Sequence, residues 1–215
     1  MLKIWGRRNS FNVQKVMWLV AELGLEHKRV DAGGDFGLLD SPDFRRLNPH
    51  GQIPVIEDGA TVIWESHAIL RYLAAAYGQK SAFWPDDPGA RAAADQWMDW
   101  TLSKLQRDFM DFFWGWYRMP EAERDPVFVE DSFGRTNRDF LLLEGQLTGK
   151  GFLLGDRMSL ADIAAGTALY RYFELGLEYP DLPGVRAWYD RLQARDAYRT
   201  HVMVPFGELY GRRRH

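Results

Sequence analysis

Asn48-Pro49-His50-Gly51-Gln52-Ile53-Pro54-Val55-Ile56-Glu57-Asp58-Gly59 decides how this chain folds. Pro54 stands at the mouth of an apolar run that reads as a β-strand. Proline gives up a ladder donor, so in a sheet it belongs at an edge, a bulge or the first strand residue. Glu57-Asp58-Gly59-Ala60 then carries turn chemistry with Asp-Gly at its centre. Thr61-Val62-Ile63-Trp64 is the return strand, and the whole predicts a β-hairpin.

Working outward, Leu2-Lys3-Ile4-Trp5 is a short strand ending at Gly6. Val13, Val16, Met17, Val20, Ala21 and Leu23 recur at helical spacing, and Gly24 stops that helix. Residues 26–30 read as a second strand. The following stretch holds Gly33-Gly34, Gly37 and Pro42 and is loop, with a short helix over Asp43–Leu47. After the hairpin, Ala68, Ile69, Tyr72, Leu73 and Ala76 share one helix face, and Gly78 ends it. The order β-α-β-α-β-β-α makes an α/β sandwich.

Phe83-Trp84-Pro85-Asp86-Asp87-Pro88-Gly89 is a linker, and beyond it strand signal vanishes. Helical patterns run over 90–119, 125–147, 160–173 and 183–194, with an irregular or helical end over 198–210. The sequence therefore divides into an α/β unit over 1–80, a linker over 81–89 and an all-α unit over 90–215. Ser159-Leu160-Ala161-Asp162 reads as a capping box with Asp in the place of Glu, and Met158 and Ile163 are spaced as a hydrophobic staple. A serine near an aspartate suggests nucleophilic catalysis, but no histidine is placed to complete a triad, so this is a helix start.

Composition excludes several classes. At 215 residues, 46% hydrophobic and 27% charged, the chain is an ordinary globular protein with a sizeable core. A net charge of −3 argues against a nucleic-acid partner. The basic run Arg212-Arg213-Arg214-His215 reads as a solvated end. Apolar stretches fall well short of the roughly 20 residues a membrane span needs, and Met1-Leu2-Lys3-Ile4-Trp5 leads into a turn, so a cytoplasmic protein is expected. With no cysteine, the protein has no disulfide, thiolate metal site or cysteine nucleophile of its own. No metal site is expected.

Three pieces in order, Ser10-Phe11-Asn12-Val13-Gln14-Lys15-Val16, the NPHGQIP stretch at 48–54 and Trp64-Glu65-Ser66-His67-Ala68-Ile69, make the whole chain resemble the glutathione transferases. Ser159-Leu160-Ala161-Asp162 matches that family's buried capping motif. The resemblance implies a thioredoxin-like first half, detoxification chemistry, glutathione as co-substrate and a homodimer. It also implies a cis Ile53–Pro54 bond, with Ile53 N–H and C=O left for the peptide-like backbone of glutathione. Gln52, His50 and Pro54 belong to the same edge. Ser66 sits where the free N–H groups and dipole of a helix start attract an anion, so the γ-glutamyl carboxylate is expected there and its ammonium at Glu65. Ser66 can also serve as the helix cap.

A free thiol near pKa 8.5 is only a few per cent thiolate at neutral pH. Lowering it by about two units needs about 2.7 kcal/mol, the size of one or two charge-assisted hydrogen bonds. Ser10 occupies the serine position of the theta and phi-type transferases, and Asn12 is the alternative partner. Plain capping by either residue stays open. The chain departs from the family at Leu39, where a basic residue usually meets the glycine carboxylate. Gln52, His50, Arg45 and Arg46 are the candidate substitutes. His67 stands where Arg or Asn is commoner, and Asp95 is a candidate for the ammonium across a dimer.

Phe109, Phe112, Phe113, Trp114, Trp116 and Tyr117 crowd one helix and cannot all face one core. Phe109, Phe112 and Trp116 are expected to line an apolar electrophile site with Phe11, Arg8, Phe206 and Tyr210. Plain interdomain core is the competing reading. Function is expected to be thiolate attack on an apolar electrophile. Disulfide or peroxide reduction through glutathione's own sulfur is the alternative within the enzymes, and a non-catalytic transferase-like scaffold is the alternative outside them.

Overall fold

The computed structural model describes residues 1–79 and 81–213. Strand β1 (Leu2–Trp5) pairs in parallel with β2 (His27–Val30) and antiparallel with β3 (Val55–Asp58). β3 returns through a tight turn into β4 (Thr61–Trp64), and the sheet order is β2-β1-β3-β4. The turn is Gly59-Ala60, with Asp58 opposite Thr61 and Gly59 at φ +61°, a conformation open to glycine at little cost. The hairpin read from NPHGQIPVIEDG is thus present, with its turn centred one residue later than Asp58-Gly59 because Asp58 still pairs with Thr61.

Helix α1 (Phe11–Glu22) crosses between β1 and β2, α2 (Pro42–Leu47) precedes the hairpin, and α3 (Ser66–Tyr77) follows it. The second half is helical: α4 (Pro88–Trp100), α5 (Gln106–Phe112), α6 (Pro126–Leu147), α7 (Leu160–Glu174), α8 (Pro183–Gln193) and α9 (Asp196–His201). α4 and α5 are one rod, because the π-helical turns Thr101–Leu105 and Phe113–Arg118 keep helical dihedrals at their junctions. The rod stops at Met119, whose extended backbone suits the residue before Pro120.

Local chemistry fixes these boundaries. α2, α4, α6 and α8 all begin on proline, whose missing N–H would be unpaired there anyway. Asp87 caps α4 by accepting from Ala90 N at 2.7 Å, and Asp125 caps α6 through Val127 N and Phe128 N at 3.0 and 3.2 Å. α8 takes its cap from another helix: Glu144 of α6 accepts from Gly184 N and Val185 N, both at 2.8 Å.

One apolar cluster runs from Leu2 and Ile4 through α1 into Ile163, Leu169 and Trp188 of the helical half. α1 is buried almost all round, including Gln14 and Lys15, and it lies between the sheet and helices α7 and α9, with Trp18 edge-on to Tyr198 at 4.8 Å. A smaller cluster of Ala32, Phe44 and Val55, with Trp5, fills the space under α2. The basic run is held by neighbours as far as Arg213: Arg212 reaches Asp35 at 3.4 Å and Arg213 pairs with Glu123. Arg214 and His215 of that run lie outside the described residues.

Candidate active site

A cleft of about 430 Å³ opens where the two halves meet. One wall is the start of α1 (Ser10, Phe11, Asn12) together with His50, Gly51, Gln52 and Ile53; the facing wall is Gln106, Met110, Phe113, Trp114 and Arg118 of the rod with Arg171 of α7.

The Ile53 wall is built by Asn48, whose amide donates to Gln52 O at 2.8 Å and whose oxygen accepts from His50 N at 3.0 Å. The Ile53–Pro54 peptide is cis. Among the described residues neither the Ile53 N–H nor its C=O has a hydrogen-bond partner. A half-buried peptide edge left this way is an acceptor and donor pair waiting for another backbone. Gly51 adopts φ +62°, and a Cβ there would lie 2.5 Å from the Arg45 guanidinium carbon. Arg45 itself is spent on Pro49 O at 2.8 Å and Asp40 at 2.7 Å, and Arg46 pairs with Asp43, so neither enters the cleft. His50 and Gln52 do line it, as does Leu39.

Glu65 and Ser66 lie outside the cleft walls, just past its end. Val55 pairs with Trp64, so the next residue on each strand puts Glu65 alongside Pro54. Glu65 caps α3 with φ +70°, a conformation non-glycine residues seldom adopt, and Ser66 is buried at the first helical position. Behind them lies a buried polar pair. Lys15 Nζ meets His67 Nε2 at 3.0 Å and donates to Gln106 Oε1, with the Phe11 ring 5.1 Å away. Burial pulls the Lys15 ammonium down to about 7, against the attraction of Glu65. Burial, then the charges of Lys15 and Arg71, hold His67 at about 2, so its imidazole is neutral.

Ser10 stands at the N-cap of α1, yet its side chain makes no capping bond. Its hydroxyl faces the cleft at the free end of a helix, where N–H groups already favour negative charge. Asn12 also lines the cleft, and its Oδ1 is buried without a partner.

The electrophile wall differs from expectation. Phe109 and Phe112 are fully buried: Phe109 packs against Tyr172 at 6.5 Å and Phe112 against Phe133 at 4.7 Å. Trp116 lies against Arg124 at 4.5 Å and is not among the cleft residues. Arg8 belongs to a neighbouring cleft and donates to Thr200 O at 3.1 Å. Phe206 is buried behind Phe113, and Tyr210 is half exposed beside Tyr117. Of the seven residues expected here, the structure brings Phe11 alone to the cleft wall. Sequence reading chose the stripe 109, 112, 116, which is the core face; the cleft face is 106, 110, 113, 114 and 118. The π-helical turn at Phe113–Arg118 also changes the phase that regular spacing assumes. Arg7, Arg118 and Arg171 were missed, and no local motif marks them. Asp95 is engaged by Arg71 Nε at 2.5 Å.

Residues 1–75 match the family described as Glutathione S-transferase, N-terminal domain, and residues 105–196 match Glutathione S-transferase, C-terminal domain. The chain belongs to the glutathione S-transferase family. Glutathione S-transferase GstB of Escherichia coli is 38% identical over 207 residues, 95% of this chain and 99% of that protein. The crystal structure of the theta class glutathione S-transferase from Xanthomonas axonopodis pv. citri with glutathione bound is 43% identical, with a TM-score of 0.90 over 95% of this chain and 98% of that one. Glutathione S-transferase theta-1 of Bos taurus is 31% identical over 159 residues, 72% of this chain and 66% of that protein. In this glutathione S-transferase family chain Ser10, the proline-edged hairpin and the Glu65-Ser66 helix start stand around one cleft or its rim.

Proposed function

We propose that this protein is a glutathione S-transferase that activates glutathione as the thiolate and adds it to an electrophile in the cleft. The observation that carries the reading is the pairing of an unpartnered Ile53 edge with an uncommitted Ser10 hydroxyl in the same cleft. A tripeptide backbone on Ile53 brings its sulfur toward the head of α1. Ser10 donates to the sulfur, stabilising the charged form, while the free N–H groups there add to the effect. Gln52 and His50 continue the edge. Ser66 and Glu65 at the rim take the γ-glutamyl carboxylate and ammonium. The thiol proton leaves to water, and the apolar faces of Phe11, Phe113 and Met110 take the electrophile.

The reaction consumes reduced glutathione, which places the enzyme in a reducing compartment, the cytoplasm, in a detoxifying role. Among the described residues no helix is long and apolar enough to cross a membrane. The active unit is a homodimer. Retention on immobilised glutathione, followed by turnover of an aryl halide at a rate above that of a mixed disulfide, is the expected result. Preferential turnover of the disulfide would move the protein to the reductases, and failure to bind glutathione would make it a scaffold.

A further inference from the structure

The cleft wall opposite Ile53 carries more positive charge than an apolar electrophile site needs. Arg7, Arg118 and Arg171 all line it, and among the described residues no carboxylate does. Arg171 is the deepest, 4% exposed. One of its terminal nitrogens donates to Asn9 O at 2.7 Å. Its Nε is buried without a hydrogen-bond partner. Around it stand the faces of Phe113 at 5.0 Å, Phe11 at 5.5 Å and Phe206 at 5.8 Å, which hold the guanidinium in place without neutralising it. Arg118 stacks on Trp114 at 3.8 Å and donates to Arg212 O at 2.9 Å. Arg7 is balanced from behind by Glu208 and Asp35, which line the neighbouring cleft.

A buried cation without a counter-charge is costly, and three guanidiniums around one cavity add mutual repulsion. Burial first, then Arg7 and Arg118, push Arg171 down to about 9, still charged at neutral pH. An arrangement of this kind is relieved by an anion that accepts from the fork of an arginine. Glutathione brings one candidate anion, its glycine carboxylate, and the electrophile can bring another. Arg171 belongs to the helical half and to the aromatic wall, across the cleft from the Ile53 edge, which favours the electrophile.

We propose that the electrophile site selects aromatic electrophiles bearing a carboxylate, with the ring on Phe11 and Phe113 and the carboxylate on Arg171. The proposal rests on the conjugation reading above and names the substrate class of that same site. For a chloronitrobenzoate, glutathione sulfur forms a bond to the ring carbon as the carbon–chlorine bond breaks. Chloride leaves with the bonding pair and the thiol proton goes to water, with nothing oxidised or reduced overall beyond that substitution.

The test uses para-chloro-meta-nitrobenzoate and its neutral carboxamide, and the glutathione conjugate of each. Calorimetry should show the wild-type protein binding the carboxylate conjugate at least about tenfold more tightly than the carboxamide conjugate, the size of one charge-assisted hydrogen bond. In Arg171→Gln the ratio should fall to within about twofold of one. If that variant does not fold, Arg171→Met, which keeps the length and apolar packing but not the charge, should show the same fall. A wild-type ratio near one overturns the proposal. So does a ratio unchanged in the variants while glutathione itself binds more weakly, because the arginines then serve the glycine carboxylate. Failure of the conjugation reading shows separately, as absent turnover of both aryl chlorides, and the binding ratio still decides the carboxylate preference.

Discussion

Ser10 and Asn12 stand two residues apart at the same cleft, and their surroundings separate them. The Ser10 hydroxyl makes no capping bond and can donate to a thiolate, whereas the Asn12 side chain has its Oδ1 buried. Ser10→Ala should therefore raise the bound thiol's pKa by about one unit, equivalent to about 1.4 kcal/mol, with glutathione affinity changed little. Asn12→Ala should move it less. Thiolate absorbance against pH checks both, and a larger shift in Asn12→Ala reverses the assignment. Ser66→Ala should instead weaken glutathione binding by about tenfold, since its contact is made equally in the ground and transition states.

Lys15 gives a second test at this scale, because its neighbours are His67, Gln106, the Phe11 ring and the charge of Glu65. Its ammonium titrates near 7 in the folded protein against 10.5 in the open chain. Between those values the unfolded state holds more protons, so stability rises with pH through that window. Below it the cost of burying the charge is fully present. Urea unfolding should show a gain on the order of 2 kcal/mol from pH 7 to pH 9, and Lys15→Met should flatten it. An identical slope in the variant would mean that Lys15 is not the group responsible.

Among the elements, α7 depends most on one residue. Asp162 accepts from Ser159 N at 2.8 Å, Ser159 Oγ and Leu153 N at 2.9 Å, and Trp188 Nε1 at 3.1 Å. These bonds tie the start of α7 to the preceding loop and to α8. Asp162→Ala would strand four buried donors, so a loss of at least about 3 kcal/mol in urea unfolding is expected. A loss below about 1 kcal/mol would show that water replaces the carboxylate. The Ser-x-x-Asp spacing made this helix start legible, because a capping box is a local device of four residues. The rod was legible as a helix but not in its phase. Phe109, Phe112 and Trp116 follow a regular stripe, yet that stripe faces α6 and α7, and Met110, Phe113 and Trp114 face the cleft.

For the molecule as a whole, the crowding of aromatics on one helix is largely resolved within the chain, since Phe109, Phe112 and Phe113 are buried. The case for a homodimer now rests on α3 and α4. Arg71 of α3 joins Asp95 and Asp99 of α4 at 2.5 Å each, and Tyr77 of α3 and Leu102 of the π-helical turn that continues α4 are exposed at 44% and 43%. Sedimentation at micromolar concentration should give a dimer, and Leu102→Asp should shift it toward monomer. A monomeric wild type would contradict the arrangement.

The sequence by itself determined the order of elements, the proline-edged hairpin, the α/β and all-α halves and the helix starts. Each of these is written in short-range signals: turn residues, caps, periodicity and a proline where a ladder donor is lost. Tertiary structure alone decided the facing wall. Arg171 and Arg118 are 53 residues apart by their numbering, and only the packing of α7 beside the end of the rod brings them to one cleft with Arg7. It also decided that Lys15, in an ordinary helical pattern, would be buried against His67 and Gln106. Charge and burial at such sites depend on which distant segments meet, and neither spacing nor composition carries that information.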